Sequence, residues 1–145
     1  MTDENFEAME KEHNDEIPLI RETDICYLSG PMTGMPMFNY PAFYGAAGLI
    51  EKEFQCEVLN PARQPNGLAY EEYMKLAFAD LERATVIVLL DGWENSPGAK
   101  REFLQAHQRG IGIVFQEQIE LLLTRRLAEA NPNINTLNQK DNTQK

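Results

Sequence analysis

The sequence predicts an α/β fold of three layers, a mostly parallel sheet of four or five strands with helices on both faces. Three observations predict it. Residues 86–90 form a continuous run of Val, Ile and Leu, the pattern of a strand buried on both faces rather than on one. Such runs alternate along the chain with stretches of helical periodicity, so the strands are joined by right-handed crossovers and lie parallel. The run at 86–90 breaks at Asp91 and Gly92, passes through a loop holding Ser96, Pro97 and Gly98, and meets a helix-forming stretch that ends near Gln108. A buried strand, a Gly-bearing loop and a helix, in that order, hold ligands at the carboxyl edge of a parallel sheet.

The elements follow in order. Residues 1–23 carry Asp3, Glu4, Glu7, Glu10, Glu12, Asp15, Glu16 and Glu22 against Lys11 and Arg21. Such a segment is expected to be flexible, a solvated tail or a loosely docked helix, with an acidic mimic of DNA as the functional alternative. The folded domain is expected over 24–130. Its first strand starts at Ile25 and runs into Gly30, Pro31, Met32, Thr33 and Gly34, where glycine lets a ligand approach the backbone. The segment 32–40 holds three methionines, Phe38 and Tyr40, too broken for a helix and too apolar for an ordinary loop. It reads either as a flap over a pocket or as packing under the next helix.

Pro41 opens that helix, since the first helical position needs no N–H donor, and it ends near Phe54. A strand at 56–60 stops at Asn60 and Pro61, and a helix at 70–84 places Tyr73, Leu76, Ala77, Leu81 and Ala84 on one stripe, with Asp80 in its second half. After the central strand and its helix, Gly110 is a stop, 111–115 is the fourth strand, and 117–130 is a last amphipathic helix. The tail 131–145, rich in Asn, Gln, Lys and Thr, is predicted to be disordered. The order is that of a flavodoxin/Rossmann-like domain. With the first and third strands adjacent, Gly30 and the loop 91–98 would share one crevice.

Composition narrows the chemistry. The 23 acidic residues against 13 basic give a formal charge of −10, which argues against direct nucleic-acid binding but leaves a free nucleotide compatible. No apolar run approaches the roughly 20 residues of a membrane helix, and the acidic start is unlike a secretory signal, so a cytoplasmic protein is expected. Cys26 and Cys56 read as small buried hydrophobes. There is no Gly-x-x-x-x-Gly-Lys-Ser/Thr loop, no third glycine for a dinucleotide fingerprint, and no Cys/His cluster around His13 or His107. No metal or organic cofactor is expected. Ser29 and Ser96 sit in no Gly-x-Ser-x-Gly elbow.

Carboxylates near strand ends remain, namely Asp80, Asp91, Glu94 and Glu102, with Tyr27, Phe38, Tyr40 and Trp93 nearby in the predicted topology. Two carboxylates flanking a glycosidic bond divide the work, one at the anomeric carbon and one at the leaving group's proton. The aromatic rings suit a stacked base. Glu102 in the first turns of its helix reaches the crevice, which Gly30, Pro31, Met32, Asp91, Trp93, Ser96 and Gly98 are expected to line.

Three motifs in this order carry a resemblance. They are residues 27–34, Tyr-Leu-Ser-Gly-Pro-Met-Thr-Gly; Asp80-Leu81 followed by Ala84-Thr85 and a hydrophobic strand; and residues 96–102, Ser-Pro-Gly-Ala-Lys-Arg-Glu. Together they resemble the nucleoside 2-deoxyribosyltransferase superfamily, which includes deoxynucleoside-monophosphate N-glycosidases and a small phage and bacterial branch. The similarity covers about residues 25–115. The resemblance implies a retaining attack on an N-glycosidic bond, with Glu102 as the nucleophile on C1′, Asp80 assisting at sugar and base, and Tyr27 orienting the glutamate. It further implies Gly30 and Gly98 as pocket glycines, Ser96 near a 5′-phosphate, and a homo-oligomer, dimer or higher. Two loops depart from the pattern: Ser96 stands where the transferases carry an acid, and Pro31 and Thr33 stand where the glycosidases tend to carry serine and arginine. A nucleotide-binding or sequestering protein without catalysis is the second functional reading.

Overall fold

The computed structural model describes residues 3–16, 18–65 and 67–130; the disorder expected of 131–145 lies outside the described residues. The strands are β1 (Ile25–Ser29), β2 (Glu57–Leu59), β3 (Val86–Leu89) and β4 (Gly112–Phe115). They form one sheet in the order β2-β1-β3-β4, and every neighbouring pair is parallel. This is the flavodoxin-like order, with the central strands β1 and β3 side by side in the register Cys26 to Val86 through Ser29 to Leu89. The helices are α1 (Asp3–Asp15), α2 (Tyr40–Phe54), α3 (Tyr70–Arg83), α4 (Pro97–Arg109) and α5 (Gln116–Ala130).

Side chains alternate across the pleat, so each central strand feeds two cores. Cys26, Leu28, Val86, Val88 and Leu90 join Phe43, Ile50 and Phe54 of α2 and Ile119 and Leu122 of α5 on one face. Tyr27, Ile87, Leu89 and Phe115 join Ala77 and Leu81 of α3 and Ala99, Phe103 and Ala106 of α4 on the other. The stretch 86–90 is accordingly buried throughout. Cys26 and Cys56 are both buried free thiols, their sulfurs 3.7 Å apart.

Of the two readings of the acidic N-terminal segment, solvated tail or loosely docked helix, residues 3–15 take the second. Helix α1 lies on the α4 side, where Phe6 has its ring centroid 5.5 Å from that of Trp93 and 5.4 Å from that of Phe103. His13 Nε2 lies 2.9 Å from His107 Nδ1 of α4. The amide of Gln118 donates to the carbonyl oxygens of His13, Asn14 and Glu16, which the end of a helix otherwise leaves without partners. The stripe Phe6, Met9, Glu10 and His13 at helical spacing gives this segment a packing face that its charge count conceals.

Segment 32–40 is neither a helix nor a simple underlay for α2. It turns through Pro36–Asn39 with Met37, Phe38 and Asn39 all left-handed, at φ of 53°, 51° and 59°. Met37 and Phe38 are consequently exposed, while Met32 turns inward and accepts a hydrogen bond from the Tyr73 hydroxyl at 3.2 Å. Among the described residues no helix is long and apolar enough to cross a membrane.

Candidate active site

The carboxyl ends of β1 and β3 and the amino end of α4 meet at one cavity. Position 30 must be small here, since a Cβ on Gly30 would stand 3.0 Å from Leu90 Cβ and 3.5 Å from the Phe43 ring. Next to it, Gly92 takes φ of +85°, which lets the chain turn off β3 beneath Pro31. The chain then enters α4 with Ser96 as its cap, the Ser96 Oγ accepting from Ala99 N at 3.2 Å, and Pro97 as its first residue. Glu102 follows one turn later and points back under that end of the helix.

Glu102 is 5% exposed. Its Oε2 accepts a short hydrogen bond from the Tyr27 hydroxyl, and its Oε1 accepts from Ser29 Oγ at 2.8 Å. Both donors come from β1, and their spacing of two puts them on the same face of the strand. Burial pushes the Glu102 carboxyl up to about 7, against the two hydrogen bonds and the charge of Arg101, which lower it. Burial and the adjacent Glu102 charge raise the Tyr27 phenol well above its usual range, so it stays a neutral donor.

The cavity above this carboxyl holds about 120 Å³ and is lined by Ser29, Gly30, Pro31, Met32, Ser96, Gly98 and Glu102, with Phe43, Tyr70, Tyr73 and Met74 closing it. A second, more open lobe of about 390 Å³ adjoins it and is lined by Phe38, Tyr40, Gln64, Pro65 and Leu68. The two share Met32, Thr33, Pro61, Tyr70 and Tyr73 as walls.

Of the residues singled out in the sequence, Tyr27, Gly30, Pro31, Met32, Ser96, Gly98 and Glu102 therefore come together. Three do not. Trp93 is 3% exposed and packs among Phe6, Phe103 and Phe115, so it is a core residue and not part of the cavity wall. Asp91 is exposed and belongs to a groove between α2 and α5 on the opposite face, where its N–H donates to Gln116 Oε1 at 2.8 Å. Asp80 lies on α3 and accepts from Gln64 Nε2 at 3.3 Å, outside both lobes. Its charge still reaches the Tyr27 phenol.

Sequence reasoning passed over Ser29 as a poor nucleophile and did not see it as a partner of Glu102. The alternation that pairs Ser29 with Tyr27 was available as the signal. Tyr70 and Tyr73 enter the site from the first turn of α3, which nothing in the local sequence announces. Among the described residues no cluster of three or more His, Cys, Asp and Glu side chains is placed to hold a metal ion.

Fold and site together define a small doubly wound α/β protein with a buried, hydrogen-bonded glutamate at the carboxyl edge of its sheet. A family model described as a domain of unknown function, DUF4406, matches residues 25–115, more than half of the chain, and the protein belongs to that family. The matched span runs from the first residue of β1 to the last of β4 and so contains every element around the cavity. No curated protein and no solved structure matches the chain.

Proposed function

We propose that this protein cleaves or exchanges the N-glycosidic bond of a (deoxy)nucleoside or nucleoside 5′-monophosphate, with Glu102 as the nucleophile. One observation carries the reading. Glu102 is a buried carboxyl at the floor of a cavity, its two oxygens fixed by Tyr27 and Ser29. A carboxylate held by two donors presents its remaining lone pairs in a fixed direction, which suits in-line attack on an anomeric carbon. The cavity of about 120 Å³ above Glu102 suits a sugar, and the aromatic second lobe suits a planar base. The likeness of the three motifs to the nucleoside 2-deoxyribosyltransferase superfamily supports the same bond and the same nucleophile.

The chemistry needs no metal in this reading. Attack by Glu102 gives a covalent glycosyl ester, and water or an acceptor base then releases the sugar with retention. A transition state of oxocarbenium character is stabilised by the ionised carboxylate, so turnover requires Glu102 deprotonated and rises with pH through about 7.

The test is incubation of the purified protein with deoxy- and ribonucleosides and their 5′-monophosphates, with and without an acceptor base, followed by chromatography. Base released by the wild type and lost at least about 1,000-fold in Glu102→Ala is the expected result. Equal release by both proteins would remove Glu102 from the chemistry. A second reading, binding of a nucleotide without turnover, draws on Asp80 lying outside both lobes, which leaves a single carboxylate in the cavity. Calorimetric binding of a panel member that the wild type leaves intact would favour it.

A further inference from the structure

A departing base needs a proton, and Asp80 does not reach the cavity that holds Glu102. Of the hydroxyl groups that line this cavity, Ser29 gives its proton to Glu102, while Ser96 and Tyr70 are engaged as acceptors, from Ala99 N at 3.2 Å and from Arg101 Nη1 at 3.4 Å, and Thr33 is a poorly acidic alcohol. Tyr73 differs from these. It walls both lobes, and its hydroxyl rests 3.2 Å from the thioether sulfur of Met32. A thioether is a weak acceptor and a phenol a good donor, so an incoming nitrogen or oxygen would displace Met32 at little cost.

Resting on the N-glycosidase reading above, we propose that Tyr73 is the proton donor to the departing base. In the first step a Glu102 oxygen bonds to C1′, the C1′–N bond breaks with its electron pair going to the base, and the base takes the Tyr73 proton. The products are a glycosyl ester, a neutral base and a phenolate. In the second step water bonds to C1′ and gives its proton to the Tyr73 phenolate, while the ester C1′–O bond breaks and returns its pair to Glu102.

Charge couples the two residues. Burial and then the Glu102 charge hold the Tyr73 phenol well above its usual range, so it rests as a neutral donor. Formation of the ester removes that charge, and the phenol becomes more acidic as the base leaves.

The experiment compares a purine nucleoside that the wild type cleaves with its N7-methylated form, whose base leaves neutral and needs no proton. Tyr73→Phe is expected to lower kcat at least about 100-fold on the first and less than about 5-fold on the second. Glu102→Ala loses both. A Tyr73→Phe loss of equal size on both substrates, no loss on either, or the same selectivity shown by Asp80→Asn and not by Tyr73→Phe would overturn the assignment. Where Tyr73→Phe does not melt as a folded protein, Tyr73→His carries the readout. Its rate on the unmethylated nucleoside should fall as pH rises past about 6.5, a limb the wild type lacks, and absence of that limb overturns the assignment. A wild type that releases no base from any nucleoside removes the N-glycosidase reading and this assignment with it.

Discussion

Glu102 carries a cost that its position makes plain. The carboxyl is held at about 7 where an exposed one would sit at 4.5, and burial is the leading cause. A carboxyl raised in the folded state is protonated there while the unfolded chain has already lost its proton. Stability from this group is therefore full below about 4.5, falls as pH rises, and is gone above about 7. The interval corresponds to about 3 kcal/mol. Glu102→Gln keeps the shape and cannot ionise, so it should stabilise the protein by about 1–3 kcal/mol at pH 8 and by little at pH 4. Thermal melts of both proteins at the two pH values measure this. A variant no more stable than wild type at pH 8 would mean that the buried carboxylate is not the strained group inferred here. Stabilisation together with lost turnover is the trade expected of a functional residue, since a merely structural glutamate would lose stability when changed.

At the scale of elements, helix α1 connects a remote segment to the loop that frames the site. Phe6 rests on Trp93, and Trp93 lies three residues before Ser96, the cap of α4. Lys100 of α4 stands with its Nζ 5.4 Å from the Phe6 ring centroid, and Gln118 joins the end of α1 to Phe115 N at the end of β4. The weak point of this docking is acidic. Burial, then the Glu94 carboxylate to which it is hydrogen-bonded, raises Glu10 to about 7, and Glu117 and Glu7 push it the same way. Ionisation of Glu10 sets it against three acids, so docking should weaken as pH climbs from about 4.5 to about 7 and change little above. Trp93 is the sole tryptophan, and its emission reports the event directly. The emission should shift to the red between pH 5 and pH 8, and Phe6→Ala, which removes about 1–2 kcal/mol of packing, should show the red-shifted emission already at pH 5. Emission that stays fixed in both would mean that α1 does not control the surroundings of Trp93. The sequence left a docked helix open as one of two readings, but eight acids in 23 residues hid which short apolar stripe makes the contact.

For the whole molecule, the order β2-β1-β3-β4 brings two loops far apart in sequence to one edge, and that much could be read in advance. The reason is local. Each strand is a short apolar run bounded by glycine or proline, and parallel crossovers leave few ways to assemble four of them. The cavity was legible in part: Gly30, Ser96, Gly98 and Glu102 follow from strand ends, whereas Tyr27 beside Glu102 was an expectation of the three-motif resemblance. The places of Trp93 and Asp91 and the walls from α3 depend on packing between elements that pattern alone does not reveal. The same architecture divides stability unevenly. The central strands β1 and β3 are buried on both faces, whereas α1 is docked from one side through partly buried side chains such as Phe6, Met9, Glu10 and His13 and through the Gln118 amide. Urea unfolding followed by Trp93 emission and by far-ultraviolet circular dichroism should therefore coincide at pH 5, with a common slope of about 1–3 kcal/mol per molar urea. At pH 8 the Trp93 transition should come at lower urea than the dichroism transition, because α1 leaves before the sheet opens. Coincident transitions at both pH values would show that α1 and the sheet form one cooperative unit, and the acidic contacts of Glu10 would then carry no separate opening of the loop that frames Glu102.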